Sequence, residues 1–275
     1  MRLKLPKPIR SRYNIAKYRL REWMASIHTS PVFVLGNQKS GTTAIAALLA
    51  KATGQTATLD FFFRRDPWEV QRYHKGALSL KAICQRNKLE FSRKIIKDPD
   101  LTFFATDLVE SFPDAKFVFI VRNPYQNIRS ILNRWSIPGS LEDLPPEIRQ
   151  GIETSVSWRT IFEGIYPPTS GHNHVATLAN RWCLANEAYR EIQSHCYLLR
   201  YEDFCGHKEK AIAEIASQLE LEVHYDIRKD INRPFQPKGK DASLKPVDFF
   251  STGNLQTISR LCWPAANDFG YTPVG

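Results

Sequence analysis

The chain has 275 residues, 43% hydrophobic and 12% aromatic, enough for one large domain with a full core and against long disorder. No run of about 18 apolar residues marks a membrane span, and the basic start lacks the apolar core of a secretory signal. Five scattered cysteines without a C-x-x-C pair indicate neither a disulfide framework nor a zinc site, so a reducing, cytoplasmic setting is expected; a net charge of +10 favours anionic partners.

Residues 1–30 form a basic leader, and the main domain is expected over 31–275. In the leader, Leu20, Trp23, Met24 and Ile27 fall at helical spacing and predict a short amphipathic helix packed on the surface. Weak attachment of this basic segment to a membrane surface is the alternative. "PVFVLG" predicts a buried strand, Val32 to Leu35, and "TTAIAALLAKATG" a helix ending near Gly54. "FSRKIIKDP" predicts a strand that stops at Pro99. Phe117 to Val121 is continuously apolar, as in a parallel sheet covered on both faces.

Pro124 then stands near the first turn of a helix, a favoured position. Residues 137–173 are rich in loop residues around a helix near Val156–Ile165 and are a candidate substrate lid. "CYLLRYEDF" predicts another strand, "KEKAIAEIASQLE" an amphipathic helix, and "INRPFQPKGKDASLKP" a polar, basic segment. Strands alternating with helices imply an α/β fold: a single domain with a central, mostly parallel sheet flanked by helices.

"VLGNQKSGTT", 34–43, carries the chemistry. Gly36 and Gly41 have the spacing of G-x-x-x-x-G-K-[ST], but Thr42 stands where that pattern has lysine, and the lysine is Lys39 inside the loop. Backbone N–H groups before a helix N-terminus form an anion nest. Ser40, Thr42 and Thr43 add hydroxyls, and Gly41 allows close approach. A second anion site is expected at Arg122, at a strand's C-terminal end, and Ser130, eight residues on in a helix.

"KSGTT" together with "RNPYQNIRS" resembles the PAPS-dependent sulfotransferases, where PAPS is 3′-phosphoadenosine 5′-phosphosulfate. "LLRYEDF" before an amphipathic helix and the closing "RLCWPAANDFGY" are similar to the same family. The resemblance covers most of 31–135 and 196–271 and implies its P-loop-like sulfotransferase fold. It implies that Lys39 touches the sulfuryl group and the bridging oxygen. Ser40, Gly41, Thr42 and Thr43 would form the 5′-phosphate cradle, with Gln38 a further cofactor-binding residue, Arg122 and Ser130 the 3′-phosphate site, and Tyr201 would lie near the adenine. Lys238 and Gly239 in "QPKGK" are similar to a segment that closes on the 3′-phosphate; a solvated loop is the alternative.

The cytosolic enzymes of that family have tryptophan where this chain has Ala44, and a histidine base where it reads "IKDPD". K-D-P and "LDFFF" instead resemble the branches with a carboxylate base. Asp60 is the favoured base and Asp98 the alternative, with Lys97 neutralising charge on the leaving oxygen beside Lys39.

The expected reaction is in-line transfer of sulfuryl from PAPS to an acceptor hydroxyl, releasing PAP, the 3′,5′-bisphosphate. It requires no metal. The acceptor is expected to be a small molecule or glycan: a carbohydrate, a glycolipid or a related metabolite. His172 and His174 lack further ligands for a metal site, and Trp135, Trp158 and Trp182 read as packing residues. A nucleotide kinase or NTPase with a degenerate loop, and a non-catalytic protein that binds polyanions, are the competing readings. Nucleic acid is not an expected partner, because no recognised module is present.

Overall fold

Short apolar runs without polar alternation need cover on both faces, and the computed structural model places five of them in one sheet. It describes residues 18–62, 66–233, 235 and 244–273. The strands are β1 (Val32–Leu35), β2 (Ala57–Leu59), β3 (Ile95–Lys97), β4 (Lys116–Val121) and β5 (Cys196–Arg200). All neighbours pair in parallel, in the order β2-β3-β1-β4-β5. β1 lies in the middle: Phe33 is opposite Ile96 on one side and Phe117 on the other.

Period two splits β1 between two cores. Phe33 and Leu35 enter one with Phe117, Phe119, Tyr125 and Trp182. Val32 and Val34 enter the other with Ile45, Leu49, Ile212 and Ile215. Each of the four β1 side chains is fully buried, and full burial of such a side chain contributes about 1.5–3 kcal/mol.

Helix α1 (Thr42–Thr53) starts at Gly41 and ends at Gly54, whose positive φ lets its N–H close on the Ala50 and Lys51 carbonyls. Helix α2 (Pro124–Arg134) is capped by Asn123, whose side chain accepts from the Tyr125 and Gln126 amides, with Pro124 in the first turn as expected. The 137–173 excursion holds two helices, α3 (Pro146–Glu153) and α4 (Val156–Phe162), where one was expected. Pro145 and Pro146 read as loop residues, yet a proline in the first turn loses no hydrogen bond and starts α3. Ile137, Ile152, Ile161, Phe162 and Tyr166 of this excursion are buried in the first core.

Four more helices matter here: α5 (His174–Ile192), α6 (Tyr201–Gly206), α7 (Lys208–Gln218) and α8 (Thr252–Ala266). Strand β2 was not expected; three residues are too few to show a period. In the leader, residues 18–24 are helical and Ile27 packs on the first core. Leu20, Trp23 and Met24 do not pack as expected: they are 56%, 81% and 70% exposed. Among the described residues, no helix is long and apolar enough to cross a membrane.

From β1 the chain crosses to β2 and β3 on one side, then to β4 and β5 on the other. Such a reversal opens a crevice at the C-terminal end of the central strand. The loop from Gly36 to Gly41 sits there.

Candidate active site

Each strand delivers one expected site residue from its C-terminal end. Asp60 follows β2, Lys97 ends β3, the glycine loop follows β1, Arg122 follows β4 and Tyr201 follows β5. Parallel pairing puts all these ends on one edge of the sheet.

The loop is built from positive φ. Gly36, Lys39 and Gly41 have φ of 139°, 66° and 90°. A Cβ on Gly41 would stand 2.3 Å from the Tyr201 ring, and one on Gly36 would stand 2.5 Å from the Ile120 carbonyl oxygen. Both positions therefore require glycine. Thr102 clamps the start of the loop: its hydroxyl accepts from Gly36 N at 2.8 Å and donates to Gly36 O at 3.2 Å. Asn127, fully buried on α2, donates to the Gln38 carbonyl at 2.9 Å and to Ser40 Oγ at 3.0 Å. Its own Oδ1 accepts from Asn37 Nδ2 at 3.1 Å.

On the β3 side the charges are paired. Lys97, 2% exposed in its side chain, forms an ion pair with Asp60 and donates to Thr43 Oγ1 at 2.8 Å. Thr43 Oγ1 in turn donates to the other Asp60 oxygen at 3.3 Å. Asp60 has φ of 53°, a conformation aspartate tolerates better than most residues. The carboxylate of Asp98 is spent on backbone: it accepts from the amides of Phe61 at 2.9 Å, Phe62 at 3.1 Å and Asp100 at 3.1 Å. Asp98 also caps a 3₁₀ turn, Pro99–Phe104. Burial, then Asp100 and Asp60, push its pKa up to about 7, while Lys97 and the Phe62 amide oppose the shift.

Beneath this group lies a buried network. Arg181 of α5, 1% exposed, meets Asp100 Oδ1 at 3.1 Å and donates from Nε to Gln38 Oε1 at 2.9 Å. It also bonds the Tyr166 carbonyl and lies over the Phe103 ring, 4.5 Å from its centroid. Gln38 completes the triangle by donating to Asp100 at 2.9 Å.

On the β4 side, Arg122 donates to the Lys39 carbonyl at 2.7 Å and lies 4.4 Å from the centre of the Tyr201 ring. Its Nε is buried without a hydrogen-bond partner. Trp182 Nε1 holds the Arg122 carbonyl at 2.9 Å. Glu202 accepts from Asn123 N at 3.1 Å and Tyr271 Oη at 2.8 Å, so the "YED" and "FGY" segments brace this strand end. Ser130 is half-buried on α2, midway between Gln126 and Arg134 at four-residue steps, the same helix face. Burial, then Arg122, Arg134 and Lys97, lower the Lys39 pKa to about 8, against a smaller opposing pull from Asp60.

The structure thus gathers Gln38, Lys39, Ser40, Gly41, Thr42, Thr43, Asp60, Lys97, Asp98, Arg122 and Tyr201 around one crevice. Lys238 and Gly239 lie outside the described residues. Asn127, Thr102, Asp100 and Arg181 were not expected. Asn127 left a signal, because asparagine is a poor interior residue for a helix; the other three left none. Among the described residues, no group of three or more His, Cys, Asp or Glu is placed to hold a metal ion.

Lys39, Arg122, Arg134 and Lys97 bring cations to the loop, and the Arg122 Nε is a buried donor without a partner, a donor set suited to an anionic group.

Sequence comparison finds no matching family model and no similar characterised protein. Structural comparison does find relatives. The chain is similar to sulfotransferase STF9 from Mycobacterium avium, at 12% identity and a TM-score of 0.58, over 96% of this chain and 82% of that one. It is also similar to mouse sulfotransferase SULT7A1 complexed with PAP, at 12% identity and a TM-score of 0.53, over 90% of this chain and 89% of that one. With its strand order, crevice and glycine loop, the chain has the fold of the sulfotransferases.

Proposed function

We propose that this protein transfers a sulfuryl group from PAPS to the hydroxyl of a small-molecule or glycan acceptor. The observation that carries the reading is the Asp60–Lys97–Thr43 cluster at the lip of the anion loop. It sets a carboxylate, a buried ammonium and a loop hydroxyl beside one another.

When bound, PAPS supplies the activated sulfuryl group and leaves as PAP; the mouse relative is a PAP complex, which supports that choice of nucleotide. The loop amides and the hydroxyls of Ser40, Thr42 and Thr43 bind the 5′-phosphate. Arg122 and Ser130 hold the 3′-phosphate, and Tyr201 lies beside the base. Asp60 accepts the proton of the attacking hydroxyl, a role that contributes about 10²–10⁴-fold. Lys39 and Lys97 neutralise charge on the oxygen that departs from sulfur. Asp98 holds the amides of Phe61 and Phe62 and so fixes the turn that carries Asp60. Phosphoryl transfer competes as a reading, but Thr42 stands where its lysine would be.

The test is a thermal shift with 3′,5′-ADP against Mg-ATP and 5′-AMP. At about 100 times its dissociation constant a ligand adds about 2.7 kcal/mol of stability. A shift with 3′,5′-ADP, absent in Arg122→Ala, is the expected result. A shift with Mg-ATP alone would overturn the reading.

A further inference from the structure

Away from the crevice, the packed face between α5 and α8 holds two thiols. Cys183 Sγ donates to the Leu261 carbonyl at 3.3 Å, and Cys262 Sγ to the Ala179 carbonyl at 3.7 Å. The contacts are reciprocal. Each sulfur reaches the backbone of the helix that carries the other, one residue or one turn from the partner cysteine. The two thiols are close enough for each to bear on the other's ionisation. Buried Ala179 on α5 and Ala266 on α8, each four residues from its cysteine, let the helices approach closely.

The pair is asymmetric. Cys183 is half-buried and Cys262 fully buried. The neighbouring Cys262 thiol lowers the Cys183 pKa, whereas burial raises that of Cys262. Cys183 is therefore the better thiolate and the one a small oxidant can reach.

We propose that Cys183 and Cys262 are a redox pair that a hydroperoxide converts to a disulfide joining α5 to α8. The Cys183 thiolate attacks a peroxide oxygen, breaking the O–O bond; with hydrogen peroxide this gives a sulfenic acid and hydroxide, which takes a proton to become water. Cys262 then attacks the Cys183 sulfur, its proton leaving with the hydroxyl group as a second water. The two thiols lose two electrons and two hydrogens, and the peroxide is reduced to two waters. The link ties the helix whose Trp182 holds Arg122 to the one whose Trp263 packs on Tyr125.

The test treats reduced full-length protein with hydrogen peroxide, denatures it, alkylates free thiols and maps the peptides by mass spectrometry. A Cys183–Cys262 peptide about tenfold more abundant than any other cysteine pairing is the expected result. Cys262→Ala should then carry Cys183 on to the sulfinic acid. The proposal fails if both cysteines stay alkylatable, or if Cys183 is over-oxidised in the wild type while Cys262 stays free. The wild-type map decides the matter even if the variant does not fold.

Discussion

The two flanks of the crevice use charge in opposite ways. Toward β3 and β2 the ionised groups are already matched: Asp60 with Lys97, and Asp100 with Arg181. Toward β4 and β5, Arg122 rests on an aromatic face and a carbonyl, with Nε left over. The matched flank holds the loop in shape before any ligand arrives. The cation-rich flank has capacity left for an anion. Substitutions on the first should cost stability, and on the second chiefly binding.

The largest expected effect is on the matched flank. Arg181→Met leaves the Asp100 carboxylate, 19% exposed, without its cation, and equilibrium urea unfolding should show a loss of about 2–4 kcal/mol. A loss below about 1 kcal/mol would mean that Asp100 does not depend on Arg181. Gly41→Ala, in the loop between the two flanks, comes next, because the added Cβ meets the Tyr201 ring at 2.3 Å and φ is 90°. It should cost about 1–3 kcal/mol, and combining it with Tyr201→Ala should recover the steric part; an additive double mutant would refute that contact.

On the other flank, Arg122→Ala should lower stability by only about 1–2 kcal/mol while abolishing the nucleotide-induced thermal shift. Loss of both in proportion would erase the distinction between the flanks.

The smallest effect is a pH dependence. Before nucleotide binds, burial and the neighbouring cations lower the Lys39 pKa to about 8, and a bound anion raises that value. The protonated form binds, so affinity for PAP should be constant below pH 8 and fall as pH rises above it, by about tenfold per unit, or ~1.4 kcal/mol. Calorimetry at pH 7 and 9 reads this directly, and Lys39→Met should remove the slope.

Much of this edge was legible in the sequence. The apolar runs at 32–35 and 117–121 announce covered strands, and a glycine loop or an arginine just after such a run falls at the crevice by parallel pairing alone. Asp60 was legible only through resemblance, since its strand is three residues long. Arg181 was not legible at all. A polar residue in a helix pattern reads as solvent-facing, and its carboxylate lies 81 residues away in sequence. The excursion was misread at Pro145–Pro146 for a related reason: the same residues that mark a loop also start a helix.

The contact between Gly41 and Tyr201 bears on how the protein is made. The loop at 36–41 is closed by the ring of Tyr201, which the ribosome adds long after it. Glu202 then waits for Tyr271 to complete its brace. An emerging chain that stops short of β5 has the glycine pattern without the surface that gives it shape. Nucleotide should therefore stabilise chains that already include Tyr201 and Tyr271 and do nothing for shorter ones.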